Sequence, residues 1–344
     1  MSEKIINKLS CLKEYDNLNN EHSKVDEKFP FKINDYYKSL IEEYSSSDPI
    51  YLQSIPSIKE LKSNFSPDPF KENENQKIEH LIHRYPNRAV LLTNNICEVN
   101  CRHCMRKRLW REQKYILKRD ELDDVIDYIK KNNLEDIILS GGDPLNLDVE
   151  YLNEIIFKIN EIDSVRLIRI GSRIPAVAPY KIGKKLLNIL GKYNNLFLLT
   201  HFNHFKEITK IVREKINMLK NSGITLLNQS VLLKGVNDSS SILKKLNNGL
   251  ISMGIKPYYL HQCDLVKGVT HFWVPIEKGI KILKKLQGNI SGIAIPHYAV
   301  DLPGGMGKVV LGPETKLMKK DGFYIFRNYQ NKIIKYPDLK NFVS

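Results

Sequence analysis

From residue 89 onward, short apolar runs alternate with longer stretches whose apolar residues recur every three or four positions. Short apolar runs bounded by turn residues read as strands, and a 3.6-residue recurrence reads as an amphipathic helix. The pattern predicts strands at 89–93, 136–139, 165–170, 196–200, 225–227 and 257–260. Helices are predicted near 121–131, 149–159, 183–193, 207–221, 240–252 and 276–286. Strand–helix units repeated in this way make a parallel sheet with helices outside it. Their number suits an α/β fold, either a six-unit partial barrel or a doubly wound sheet, with a short seventh strand near 292–296. Upstream the pattern is less regular. Residues 1–32 are polar and charged, and read as a loose extension. Tyr36, Tyr37, Leu40, Ile41 and Tyr44 have helical spacing, which predicts a helix over 33–44, and Pro56, Pro67 and Pro69 break up the next stretch. The chain divides into a helical N-terminal extension (1–82), a regular core (83–300), and a glycine-rich loop with a short C-terminal β-hairpin (301–344).

Polar residues fall where the predicted strands end. The clusters are Ser140-Gly141-Gly142-Asp143, Gly171-Ser172-Arg173, His201-Phe202-Asn203-His204, Asn228-Gln229-Ser230 and His261-Gln262-Cys263-Asp264. In parallel α/β folds the site lies at the carboxyl ends of the strands. Clusters in register after successive strands therefore describe one mouth lined by loops.

Composition narrows the setting. The chain has 344 residues and is 42% hydrophobic, enough for one large core or two modest ones. No apolar run reaches the length of a membrane span, and the start Met1-Ser2-Glu3-Lys4 does not open a signal peptide. The five cysteines do not form a secreted disulfide framework, and a reducing cytoplasm fits them best. Lys and Arg total 53 against 39 Asp and Glu, a net charge of +14. The lysines are scattered over helix faces, which reads as a solvated surface, and nucleic-acid binding has no motif behind it.

Three of the five cysteines lie within eight residues, at Cys97, Cys101 and Cys104. On one loop after the first core strand, this C-x3-C-x2-C spacing can ligate three irons of a [4Fe–4S] cluster and leave the fourth open. Clusters that only carry electrons usually have four cysteine ligands. A tetrahedral zinc with His103 as fourth ligand is the competing reading, although structural zinc sites normally take a second, distant ligand pair.

The remaining candidates are weaker taken singly. Arg84 and Arg88 sit four apart around a proline and can clamp a phosphate, or can be surface arginines. The glycines of 140–143 allow close backbone approach to a ligand, or make a plain tight turn. His201, Asn228 and Gln229 are hydrogen-bonding groups suited to ribose or adenine, or satisfied strand-end residues. In Asp301-Leu302-Pro303-Gly304-Gly305-Met306-Gly307-Lys308 the lysine fails the Walker A pattern, because Val309 follows it. Lys308 reads either as a mobile Schiff-base lysine for pyridoxal phosphate (PLP) or as a solvated loop lysine. Asp264 and Asp301 can converge on an ammonium, or serve as a cap and a turn acid.

Taken together, these stretches resemble the lysine 2,3-aminomutase family of the radical S-adenosylmethionine (SAM) superfamily. The matching stretches are 83–88, 97–108, 139–143, 169–175, 200–204, 228–237, 257–264 and 300–308, and the likeness is collinear from about 33 to about 337. The resemblance implies a partial (β/α)6 TIM-type barrel and an isomerase using a [4Fe–4S] cluster, SAM and PLP. It implies that Cys97, Cys101 and Cys104 ligate the cluster, that Lys308 carries PLP, and that Arg84 and Arg88 hold its phosphate. Arg106 then binds the substrate carboxylate, and Asp264 and Asp301 bind the distal ammonium of lysine. His201, Asn228, Gln229 and Ser140, Gly141, Gly142 and Asp143 serve SAM. An adenosyl radical removes a β-hydrogen, the amino nitrogen moves from the α- to the β-carbon, and a flavodoxin- or ferredoxin-type reductant supplies the electron. The product expected is β-lysine from free L-lysine. The alternatives are an aminomutase of the same family acting on arginine or ornithine, or the branch that makes β-lysine for elongation factor P; another branch acts on glutamate, whose second carboxylate two acids would repel. A different class of reading is a PLP-free iron–sulfur protein that uses its charge to bind RNA or an acidic partner. Typical clostridial members carry a further cysteine cluster for a structural zinc. Here Ser239 follows Val236-Asn237-Asp238 and that cluster is missing, so no zinc site is expected, and the sequence does not set the oligomeric state.

Overall fold

The computed structural model describes residues 4–7, 20–313, 316–321, 323–328 and 330–337. Part of the extension expected over 1–32 and the turn residue Gly322 of the expected hairpin lie outside the described residues. A short pair, β1 (Ile5–Ile6) and β2 (Ile33–Asn34), comes first. One ten-stranded sheet then holds β3 (Gln76–Ile78), β4 (Leu81–Tyr85), β5 (Arg88–Asn94), β6 (Asp136–Gly141), β7 (Leu167–Ser172), β8 (Leu196–Thr200), β9 (Thr225–Leu232), β10 (Lys256–Gln262), β11 (His297–Asp301) and β12 (Lys308–Leu311), in strict chain order. Strands β5 to β11 run parallel. Antiparallel strands flank them, β4 and β3 on one side and β12 on the other.

The parallel strands alternate their two faces. Ile137, Leu139, Ile168, Ile170 and Leu198 are fully or almost fully buried. They meet helices such as Arg119–Lys131, which buries Leu122, Val125, Ile126 and Ile129, and Val149–Asn160, which buries Leu152, Ile155, Ile156 and Ile159. Each such side chain contributes about 1.5–3 kcal/mol of burial. The intervening residues, among them Ile138, Arg169, Leu199, Gln229 and Tyr259, all line one cavity. A cavity touching alternate residues of strands from β4 to β12 requires the sheet to curl around it. The edges β3 and β12 do not pair, so the barrel is partial.

The structure refines four expectations. The seventh strand is β11, not 292–296, because Gly292–Ala294 is a 3-10 turn. The helix expected over 33–44 shrinks to Asp35–Lys38, because Ile33 and Asn34 pair with β1 and the Asn34 side chain caps the helix at the Tyr37 amide. The C-terminal hairpin is extended to three antiparallel strands, β13 (Lys316–Lys320), β14 (Phe323–Arg327) and β15 (Ile333–Pro337). The main sheet begins at Gln76 and ends at Leu311, so it crosses the divisions drawn after residues 82 and 300. Among the described residues no helix is long and apolar enough to cross a membrane.

Candidate active site

The cysteine loop leaves β5 at the mouth of the barrel. Its fixation is electrostatic. Arg102, between the second and third cysteines, donates to Glu60 through Nε at 2.9 Å and Nη2 at 2.7 Å, and Lys107 Nζ reaches the same carboxylate at 2.6 Å. All three groups are essentially inaccessible. A buried triad of this kind is held by its partners, since an unpaired ion there costs several kcal/mol. Burial pushes the Glu60 carboxyl up, but the two cations outweigh it and hold the group at about 2.

The thiols of Cys97, Cys101 and Cys104 are free and lie within electrostatic reach of one another. Burial raises Cys97 well above its ordinary range and Cys104 to about 11, with the neighbouring sulfurs adding to each. Three sulfurs crowded out of water are a donor set for a cationic centre. Zinc fits them poorly: among the described residues only Glu79, His80 and Glu121 bring three ligand atoms within 4.8 Å of one another. Bonds of about 2.3 Å to a single zinc would draw the sulfurs closer than that, whereas a cluster spreads them. His103, the proposed fourth zinc ligand, turns Nε2 to Asn203 at 3.2 Å.

Behind this loop the two glycines of 140–143 pack against backbone. A Cβ on Gly141 would stand 2.2 Å from the Asn94 carbonyl oxygen, and one on Gly142 would stand 2.4 Å from the Ile96 nitrogen. The glycines make room for the cysteine loop. Asp143 accepts from the amides of Arg173 (2.7 Å), Leu145 (3.1 Å) and Ile174 (3.2 Å), and burial lifts it to about 6. Ser140 alone of the four reaches the cavity.

That cavity, about 410 Å³, brings together most of the candidate residues. Arg84 and Arg88 line it from the β4–β5 hairpin, Arg88 stacked 4.0 Å over the Tyr85 ring. Arg106 and Ser140 line another part, and His201, just past β8, and Gln229, within β9, line it as well. Burial, with the nearby His261, lowers His201 to about 3, so the ring is neutral. Lys308 and Asp301 complete the lining.

Lys308 is not on a free loop. It opens β12, opposite Asp301 of β11, because Gly304, Gly305 and Gly307, all at positive φ (71°, 75° and 95°), turn the chain back in six residues. Only glycine takes such angles readily. Lys308 Nζ lies 2.5 Å from Asp301 Oδ2 and 3.1 Å from His261 Nδ1. Burial alone would raise Asp301, but the His261 hydrogen bond and the Lys308 charge hold it well below the carboxylate range.

Three residues sit differently from expectation. Asn228 does not line the cavity: its amide exchanges hydrogen bonds with Thr200 Oγ1, Ser230 Oγ and both backbone groups of Phe202, which uses its full capacity. Asp264 opens on a neighbouring apolar cavity of about 450 Å³, and Asp301 stands on the boundary between the two. Burial and the Asp301 charge lift Asp264 to about 7. Arg106 is already engaged by Glu72. Glu72 and His261 were missed as site residues. Glu72 lies in a proline-broken stretch without periodicity, whereas His261 heads a strand-end polar cluster and so was legible in outline.

Comparison with known proteins agrees with this arrangement. The radical SAM superfamily profile matches residues 91–246, and the lysine-2,3-aminomutase profile matches residues 283–344. An L-lysine 2,3-aminomutase of Methanococcus maripaludis is 45% identical over 90% of this chain and 72% of its own length. A putative L-lysine 2,3-aminomutase of Aquifex aeolicus is 42% identical over 90% of this chain and 84% of its own. A glutamate 2,3-aminomutase of Clostridioides difficile is 37% identical over 90% and 74%. Sequence likeness at this level across nine-tenths of the chain, joined to three gathered thiols and a lysine-bearing cavity inside a partial barrel, places the chain in the lysine 2,3-aminomutase family of radical SAM enzymes.

Proposed function

We propose that the chain is a PLP-dependent 2,3-aminomutase that moves the α-amino group of L-lysine to the β-carbon. The observation that carries this reading is that Lys308, Arg84, Arg88, Arg106 and Asp301 line one cavity. Lysine offers a carboxylate, an α-amine and a terminal ammonium, and the cavity holds a group matched to each.

The donor sets fit the cofactors of the family. Cys97, Cys101 and Cys104 hold three irons of a [4Fe–4S] cluster and leave the fourth for SAM, with His201, Gln229 and Ser140 beside it. Arg84 and Arg88 present guanidinium forks to the PLP phosphate, and the Lys308 amine carries the PLP aldehyde. When bound, SAM on the reduced cluster supplies a carbon radical, and PLP delocalises the unpaired electron during nitrogen migration. The protein's part is to orient and enclose. Arg106 fixes the carboxylate end of lysine, Asp264 and Asp301 take the distal ammonium, and the barrel wall excludes water from the β-carbon between them. A flavodoxin- or ferredoxin-type protein delivers the electron.

Glutamate fits the site poorly, because Asp301 on the cavity wall and Asp264 just beyond its boundary would repel a distal carboxylate. Arginine and ornithine carry the right charge, so chain length decides between them and lysine. The test is to incubate the reduced, SAM- and PLP-loaded protein with lysine, ornithine, arginine and glutamate separately, and to look for β-amino acids by mass spectrometry. β-Lysine is expected. Conversion of another amino acid with lysine left untouched overturns the assignment.

A further inference from the structure

Arg106 reaches the cavity with one edge already occupied. Its Nε lies 3.0 and 3.1 Å from the two Glu72 carboxylate oxygens, and its Nη2 lies 2.7 Å from one of them. Nη1 donates to Ser140 Oγ at 3.1 Å. A guanidinium has five N–H donors. These contacts leave one N–H on each terminal nitrogen without a partner among the described residues. A guanidinium that presents an N–H from each terminal nitrogen binds one carboxylate through two parallel hydrogen bonds.

Glu72 is itself held in place. It also takes Arg108 Nη2 at 2.8 Å, and burial leaves its carboxylate 6% exposed. The stretch of chain before it is tied to two loops of the mouth and to strand β4. Ser66 accepts from the Lys267 amide (3.0 Å), Pro69 from the Gly304 amide (2.7 Å), and Phe70 from Arg84 Nη1 (3.5 Å). Two guanidiniums and one carboxylate sum to +2 − 1 = +1. That charge matches one carboxylate. The pair Arg84 and Arg88, with no acid among their hydrogen-bonding or ion-pair partners in the described residues, suits a more highly charged phosphate.

From this geometry we infer that Glu72 is a positioning residue, which clamps the inner edge of Arg106 so that its outer edge meets the substrate carboxylate. The inference rests on Arg106 being the group that binds that carboxylate. Without Glu72 the guanidinium rotates about its long side chain, and the carboxylate end of the substrate loses its fixed donor pair.

The test compares Glu72→Gln, Glu72→Asp and Arg106→Gln in the loaded enzyme. It measures KM and kcat for lysine, and the inhibition constant of 1,5-diaminopentane, which keeps both amines and lacks the carboxylate. Glu72→Gln is expected to raise KM for lysine by about 10-fold or more while kcat changes several-fold at most, with inhibition by 1,5-diaminopentane unchanged. Glu72→Asp is expected to recover part of the loss. If Glu72→Gln leaves KM within about twofold while Arg106→Gln raises it, the role of Glu72 is wrong and the reading of Arg106 stands. If Arg106→Gln leaves KM unchanged, both fall. If Glu72→Gln weakens 1,5-diaminopentane as much as lysine, the change is general damage to the cavity and the clamp is refuted.

Discussion

Lys308 and Asp301 face each other across the antiparallel pair β11–β12, ammonium to carboxylate at 2.5 Å. The contact is a consequence of register, set by the three-glycine turn between them. If Lys308 holds PLP as proposed, its amine would no longer be the partner of Asp301, and that carboxylate would be free to meet the distal ammonium of the substrate.

The first prediction concerns Lys308 itself. Lys308→Ala removes the amine from the cavity, so borohydride treatment of PLP-soaked protein should trap no cofactor at this site, as read by peptide mass. Turnover should fall by about 10³-fold or more, since a covalent carrier has no substitute nearby. Cluster content should be untouched, because the cysteine loop is fixed by Glu60 and not by β12. Trapping at an undiminished level would place the carrier elsewhere.

The two aspartates set the pH profile. Burial, then the Asp301 charge, raises Asp264 to about 7. An acid with a raised value is neutral below it, so Asp264 attracts an ammonium only above about pH 7. kcat/KM for lysine should therefore rise with pH through this range, as the free enzyme's groups set that parameter. Asp301→Asn removes the neighbouring charge and should move the midpoint downward. It should also raise KM about 10- to 100-fold, the loss of one charge-assisted hydrogen bond. A midpoint that stays fixed in Asp301→Asn would separate the two carboxylates.

Much of this was readable in the chain and some was not, for physical reasons. Strand β6 and helices Ser240–Ser252 and Ile276–Leu286 announce themselves because each buries one regular face, and β8 because it is a short apolar run. The hairpin partner β4 was missed, since Arg84 and Tyr85 line the cavity, His83 bonds Tyr128, and the three polar or amphipathic residues break the apolar pattern of a strand. Asn228 looked like a ligand-binding strand end. A buried amide satisfied by two neighbouring strands looks the same in one dimension. Glu72 gives no local signal at all, because what defines it is an arginine 34 residues away.

Stability at acid pH should hinge on Glu60. Burial raises its carboxyl, but Arg102 and Lys107 reverse the sign and hold it at about 2, against 4.5 ordinarily. A carboxyl depressed in the folded state stabilises fully above its unfolded value, and the contribution is lost as pH falls from about 4.5 towards 2. Glu60→Gln leaves two buried cations without a counter-charge and should cost about 3–5 kcal/mol. Thermal melting of wild type and variant at pH 7 and pH 3 checks this: the gap between them should narrow at the lower pH. The variant should also hold less iron, because Arg102 and Lys107 are the anchors of the cysteine loop.

Gly142 offers the sharpest test of how the loop and the sheet share space. Its missing Cβ would overlap Ile96 N at 2.4 Å and Ile96 O at 2.5 Å, both backbone atoms. Backbone cannot swing aside as a side chain does, so Gly142→Ala must displace the stretch leading into Cys97. Overpacking of this kind costs about 1–3 kcal/mol or more, and here the strain falls on a metal-binding loop. The expected result is a folded barrel, with helical circular dichroism near wild type, that reconstitutes with substantially less iron and sulfide. By contrast Gly183→Ala, where nothing lies within 4 Å of the added carbon, should load normally. Equal iron loading in both variants would mean that the glycine pair after β6 is not there to seat the cysteine loop, and a direct role at the ligand would have to replace the steric one.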